Sequence, residues 1–243
     1  MMDSIYKDLL PYIESTEFPT WLPDKLKPLG INGLQIKGYG SPGLSTLDAA
    51  ACVYELAKRD GSVCTYLLVH NGIGMSVIDA LGDEEQKERL ITKGINFEKI
   101  FCFGLSEPDN GSDATGLKTS ARKVEGGWIL NGQKRWIGNG TMADVIVWAR
   151  NEDDEGRIQA FVVEKGSPGF MPTKMEGKMA LRITQNADIL IKDCFVPDHN
   201  KLTHSKDFES GTNKILAASR LMVAWMAAGV AAGAYEAAVK YTT

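Results

Sequence analysis

The sequence predicts an α+β protein in three parts: a helical segment over residues 1–100, a strand-rich segment over 101–208 forming a small barrel or sandwich, and a closing helix within 209–243. Three observations carry this. Early apolar residues recur at helical spacing between Gly- and Pro-rich turns. Near Ile100 the pattern changes to short β-branched and aromatic runs bounded by polar turns. From Lys214 to Tyr241 the chain is rich in Ala and Gly, and helical again.

Leu47–Arg59 follows Ser45-Thr46 and puts Ala50, Val53, Tyr54 and Ala57 on one helical face. Val63–Leu81 reads as a second helix, stopped by Gly82. Asp83-Glu84-Glu85-Gln86 opens a third, because acidic residues suit the positive end of the helix dipole, and Gly94 ends it. Strands are expected around Thr119–Val124, Trp128–Leu130, Gln133–Ile137, Val145–Trp148, Ala160–Val163 and Asp188–Val196. Asn131-Gly132 is expected to be a tight turn between the second and third of these. In the last helix Ala217, Leu221, Ala224, Ala228 and Ala231 form one stripe of small residues, the expected packing face in a bundle or across a subunit interface.

Hydrophobic residues make up 44% of the 243 and charged residues 24%, the balance of a globular protein. The net charge is −4, and no basic cluster points to nucleic acid. No run of ~18 uninterrupted apolar residues predicts a membrane span; Leu216–Ala238 comes nearest but contains Arg220. Cys52, Cys64, Cys102 and Cys194 form no C-x-x-C pair, so buried free thiols are expected and zinc is not. His70, His199 and His204 show no catalytic or metal spacing, and Glu152-Asp153-Asp154-Glu155 reads as a solvated turn.

Three places could carry chemistry. In Phe103-Gly104-Leu105-Ser106-Glu107-Pro108-Asp109-Asn110-Gly111-Ser112-Asp113 a strand end meets a Gly- and Ser-containing turn. Gly lets backbone N–H groups approach an anion and Ser adds a donor, a plausible diphosphate cradle or else a plain connecting turn. In Gln133-Lys134-Arg135-Trp136-Ile137-Gly138-Asn139-Gly140 a large aromatic ring stands beside glycines. Trp136 is either a core residue or a ring that packs on a planar cofactor. Arg220, a lone charge near the start of an apolar helix, is either solvated or a partner for a phosphate or carboxylate.

Leu105-Ser106-Glu107-Pro108…Gly111-Ser112-Asp113, Asn131-Gly132-Gln133-Lys134…Trp136-Ile137 and Phe195-Val196-Pro197, in this order, resemble the acyl-CoA dehydrogenase superfamily over nearly the whole chain. Ile36-Lys37-Gly38-Tyr39-Gly40 and Pro42-Gly43-Leu44-Ser45 are similar to the branch with glutaryl-CoA dehydrogenase and plant-type peroxisomal short-chain acyl-CoA oxidase. The resemblance implies an N-terminal helical domain, a middle β-barrel and a C-terminal helical bundle, of which 209–243 is the first helix. It implies FAD as cofactor, an acyl-CoA substrate oxidised to a trans-2-enoyl-CoA, and a homodimer or homotetramer. It assigns Phe103, Leu105 and Ser106 to the flavin-ring wall, and Gly111 and Ser112 to the diphosphate turn, with Ser112 also near the thioester. It assigns Trp136, Ile137 and Gly138 to the ring, and Arg220 to the acyl-CoA.

Two departures refine it. Many relatives carry Thr or Ser where this chain has Gly138, which leaves only a backbone N–H there and points toward the oxidase; the resemblance implies a peroxisome, with the mitochondrial matrix as the alternative. Glutaryl-CoA dehydrogenase has an Arg for a distal carboxylate where this chain reads Cys64, which points to a short, uncharged acyl chain. The family's base, a Glu in a Tyr-Glu-Gly-Thr-like motif, and its Arg…Gln-Phe-Gly segment do not occur in these 243 residues. No catalytic residue is therefore assigned, and the chain alone is expected to be catalytically incomplete. A truncated, non-catalytic binding or oligomerisation module is the alternative.

Overall fold

The computed structural model describes all residues from Met1 to Thr243. Helices α1 (Met2–Ser15), α2 (Leu22–Leu26), α3 (Thr46–Arg59), α4 (Gly61–Leu67), α5 (Ser76–Leu81) and α6 (Glu84–Ile95) precede strands β1 (Phe101–Gly104), β2 (Ser120–Val124), β3 (Gly127–Ile137), β4 (Asp144–Asn151), β5 (Arg157–Val163), β6 (Phe170–Lys174) and β7 (Ala187–Pro197). Helix α7 (Lys214–Thr242) closes the chain. The helix starts follow the sequence signals. The Ser45 hydroxyl accepts from the Asp48 N–H, and Asp83 and Gln86 form a reciprocal capping box.

The expected helix over Val63–Leu81 is present but not uniform. Between α4 and α5, Leu68–Met75 is wound as a π-helix. A local π-turn shifts the following residues around the axis and often marks a functional site. Here Thr65, Val69 and Ile73 face one cavity while His70 and Met75 enter the core.

The strands form one seven-stranded curled sheet in the order β1-β4-β2-β3-β7-β6, with β5 also paired to β4. No pairing joins β6 to β5, so the roll stays open. Strand β4 explains the unbroken apolar run Val145-Ile146-Val147-Trp148. Ile146 and Trp148 pack with Met75, Ile78, Leu90 and Phe101 against the helices, while Val145, Val147 and Ala149 fill the roll with Trp128 and Phe161. A strand covered on both faces need not alternate.

One expectation is corrected. Asn131-Gly132 is not a hairpin turn but a bulge inside the continuous strand β3, where pairing to β7 shifts between Leu130 and Gly132. The Asn131 carboxamide bonds across to Asp193, through its Oδ1 to the Asp193 N–H at 2.8 Å. Without a side chain, Gly132 lets Thr119 of the neighbouring segment pack against it. The hairpin joining β2 to β3 lies instead at Glu125-Gly126, with Gly126 at φ +73°. In α7 the stripe of Ala217, Leu221, Ala224, Ala228 and Ala231 is exposed in this chain, on the side away from α3. The helix packs on α3 through Met222, Trp225, Met226 and Gly229, whose missing side chain admits the Tyr54 carbonyl. Small residues surround α7, so periodicity could not choose its buried face.

By length and composition two helical stretches, Gly61–Leu81 and Glu209–Thr242, are long and apolar enough to cross a membrane. The first is mostly buried in this fold as a core helix, and the second is mostly exposed. All four cysteines are free thiols, Cys52 half-buried and the others buried. No cluster of metal-ligating side chains is present.

Candidate cofactor site

One cavity of about 270 Å³ opens between the π-helix, the end of β1, the end of β3 and the start of α7. It gathers six of the residues singled out in the sequence: Phe103, Leu105, Ser106, Trp136, Ile137 and Gly138. Strand β1 brings Phe103 to the wall and continues directly into Leu105 and Ser106. The Arg135 N–H donates to the Ser106 carbonyl at 2.8 Å, which sews this segment to β3 just before Trp136.

Trp136 is not a core residue. It is 63% exposed, and its backbone is left-handed at φ +64°. The turn falls within the shift of β3–β7 pairing between Lys134 and Ile137. A bulky L-residue there costs about 1–2 kcal/mol, and such strain persists where the fold over-determines it, often at binding sites. The chain thus presents a broad aromatic face at the cavity mouth without burying it.

The polar complement of the wall consists of backbone donors. Leu105, Ser106 and Gly138 have N–H groups with no partner in the chain, and the Ser106 hydroxyl has none either. Buried or half-buried N–H groups are usually paired, so a row of free donors beside an exposed indole fits a planar, acceptor-rich ring. Gly138 is confined: a side-chain carbon added there would come within 3.1 Å of Val69 Cγ2. A hydroxyl-bearing residue would need Val69 to yield, so the absence of a side chain matches the π-helix packed opposite.

The remaining assignments fall elsewhere. Gly111 and Ser112 lie exposed in the loop between β1 and β2 and do not line the cavity. Arg220 is exposed and does not line this cavity, although its neighbour Ser219 and Leu216 and Val223, four and three residues away, line this cavity or the adjoining one. Cys64 is buried among Val53, Ala57 and Leu34, its thiol 3.5 Å from the Val53 carbonyl. Burial pushes that thiol up to about 12. The adjacent Thr65, rather than Cys64, faces the cavity.

Residues not foreseen complete the wall: Thr65, Val69, Ile73, Leu181, Thr184, Asn186 and Leu216. The first three stand four apart, a helical signal visible in the sequence. Leu181, Thr184 and Asn186 belong to an irregular strap over residues 175–186, which carries no periodicity. Lys178 holds that strap together, donating to the Leu181 carbonyl and Asn186 Oδ1, each at 2.8 Å, and to the Thr184 carbonyl. Asn186 Nδ2 then donates to the Trp136 carbonyl at 3.2 Å. A second, apolar cavity of about 130 Å³ adjoins the first, lined by Thr65, Leu68, Val69, Gly72, Ile73, Ser219, Met222, Val223 and Met226. No carboxylate and no cationic side chain lines either cavity.

Replacing Trp136 by Gly separates the two readings of this residue. Strain relief of about 1 kcal/mol is offset by the greater freedom of Gly in the unfolded chain, so the melting temperature should change little. Flavin affinity should fall about tenfold, the loss of one aromatic stacking contact. Thermal melts and flavin fluorescence titrations measure both. A large drop in melting temperature would instead make Trp136 part of the core.

The sequence and the fold both have known relatives. The family model described as acyl-CoA dehydrogenase, N-terminal domain, matches residues 4–98, and that of the acyl-CoA dehydrogenase middle domain matches residues 102–194. An acyl-CoA dehydrogenase of Bacillus subtilis is 34% identical, over 98% of this chain and 65% of its own length. The mitochondrial short-chain specific acyl-CoA dehydrogenase of Rattus norvegicus is 32% identical, over 98% of this chain and 60% of its own. The crystal structure of a glutaryl-CoA dehydrogenase from Mycobacterium smegmatis in complex with FADH2 superposes with a TM-score of 0.93 at 30% identity, over 99% of this chain and 62% of that one. The chain thus spans less than two thirds of the length of each of these relatives. With both domain models matched in order and the fold shared almost throughout, the chain belongs to the acyl-CoA dehydrogenase family, of which it carries the N-terminal and middle domains.

Proposed function

We propose that this chain is the flavin- and acyl-binding part of an enzyme that oxidises a short-chain acyl-CoA to a trans-2-enoyl-CoA, with FAD as its cofactor. The observation that carries the reading is the cavity itself. It offers an exposed indole, unpaired N–H groups at Leu105, Ser106 and Gly138, and an apolar annex beside them. When bound, FAD supplies the acceptor for the hydride lost from the acyl β-carbon. Trp136, Ile137 and Gly138 would hold one side of its ring, and Phe103, Leu105 and Ser106 would form the other segment of wall. Gly111 and Ser112, on the exposed loop, are proposed to reach its diphosphate, and Arg220 the CoA portion of the substrate.

The annex of about 130 Å³ suits a short tail, and its lack of any Lys or Arg supports an uncharged one. Thr65, Met222 and Met226 line this annex, whereas Cys64 is buried against α3. α-Proton abstraction needs a general base, and neither cavity wall has a carboxylate, histidine or lysine. We infer that the base, and with it turnover, comes from outside these residues, as part of a homodimeric or homotetrameric enzyme. The oxidase reading rests on motif resemblance and on Gly138, while the relatives named above are dehydrogenases, so an electron-carrier protein is proposed as acceptor in preference to O₂. The expected peroxisomal location came with the oxidase resemblance and has no other support; the rat relative is mitochondrial and the Bacillus relative bacterial.

The test is anaerobic. The purified chain should turn yellow with FAD, and butyryl-CoA should perturb the flavin spectrum without bleaching it at an enzymatic rate. Rapid bleaching would show that the base has been misplaced. A protein that stays colourless would favour the alternative, an oligomerisation module using the exposed face of α7.

A further inference from the structure

Near the cofactor site lies a buried ion pair that lines neither of the two cavities. The Lys134 side chain is wholly buried, and its Nζ lies 2.9 Å from Glu107 Oε1. Nζ also donates to the Leu105 carbonyl at 3.1 Å. Glu107 Oε1 accepts further bonds from the Thr119 N–H at 2.9 Å and the Thr119 hydroxyl at 2.5 Å, and Oε2 accepts from the Lys118 N–H at 2.6 Å. Burial lowers Lys134 to about 8, against the opposing pull of Glu107.

The placement of these bonds is informative. The chain leaves the ring wall at Ser106, makes the exposed loop that carries Gly111 and Ser112, and returns at Lys118 and Thr119. The Glu107 carboxylate closes that loop at its base. The same carboxylate grips Lys134, two residues before Trp136, and Lys134 in turn grips Leu105. One buried pair therefore spans three segments: the loop, the end of β1 and the end of β3. A well-packed apolar pair could give equal stability, so a buried ion pair is better explained by the register it enforces.

We propose that Glu107 and Lys134 are positioning residues that hold the diphosphate-side loop in register with the flavin-ring wall. This rests on the FAD reading above. Neither side chain touches the cofactor cavity, so the effect is transmitted through the backbone at Leu105, Lys118 and Thr119. The coupling belongs only to a ligand with both a ring and a diphosphate.

The experiment compares FAD with riboflavin, which lacks the diphosphate, in fluorescence titrations of the full chain. The variants are Glu107→Gln with Lys134→Met, made together so that no buried charge is left unpaired, and Thr119→Val, which removes one bond to the carboxylate. The double variant is expected to melt within a few degrees of wild type yet lose about tenfold in FAD affinity, with a much smaller loss for riboflavin. Its bound flavin should show a shifted visible band as the ring wall relaxes. Thr119→Val should lower the FAD-to-riboflavin ratio in the same direction, by about threefold. A merely structural pair would move the melting temperature and leave the ratio and spectrum alone, and that result in either folded variant overturns the proposal. If the wild-type chain does not discriminate FAD from riboflavin, the proposal falls. If it binds neither, the cofactor reading falls with it.

Discussion

Lowering the pH from about 6.5 to about 4 is expected to cost this chain about 3 kcal/mol of folding stability through a single buried histidine. His70 sits in the π-helix with no exposed surface. Its Nδ1 accepts the Phe101 N–H at 3.0 Å, which leaves Nε2 as the protonated nitrogen, 3.1 Å from the Gly94 carbonyl. Phe97 and Phe101 stack on the ring. Burial lowers His70 to about 4, only partly opposed by the bond to Gly94. A proton on Nδ1 would also destroy the acceptor that Phe101 uses.

The sign follows from proton counting. Between about 4 and 6.5 the unfolded chain binds a proton at His70 that the folded chain refuses, so stability rises with pH across that window. It is fully present above about 6.5 and lost as pH falls toward about 4. Urea unfolding at a series of pH values measures the slope, and His70→Gln should flatten it while lowering stability at neutral pH. An equal slope in wild type and variant would place the titration elsewhere.

Gly74→Val is expected to destabilise the fold by about 3 kcal/mol and to abolish flavin binding. A side-chain carbon at Gly74 would lie 2.8 Å from the carbonyl carbon and Cβ of Phe101 and 2.9 Å from its carbonyl oxygen. These are mostly backbone atoms of a strand pinned by pairing to β4, so the π-helix must move instead. Its neighbours Val69 and Ile73 form one cavity wall and Phe103 of β1 another, so separation of the two elements opens the site. Denaturant midpoints and flavin titration measure the two effects. Wild-type flavin affinity in a destabilised variant would show that the cavity does not depend on this contact.

His70 and Gly74 illustrate what was hard to read beforehand. Both lie in a stretch recognisable as helix, yet neither carried a functional signal, because their roles depend on β1, which lies next to them only after folding. The same limit explains Asn131-Gly132. The pair has the freedom for a tight turn, and only the partner strand β7 decided that it became a bulge. It explains Cys64 and Thr65 as well. One residue of difference turns a helical side chain by about 100°, and α3 decided which of the two faces inward.

Sequence by itself determined the three-part order of helices, strands and helix, the cap residues, and six residues that meet at one cavity, because local propensity and motif chemistry are properties of neighbours along the chain. Tertiary structure alone decided the π-turn, the exposed and strained Trp136, the buried face of α7, and the clamp between Glu107 and Lys134. Each of these depends on which distant backbone group occupies a space or accepts a bond, and no pattern of adjacent residues encodes that.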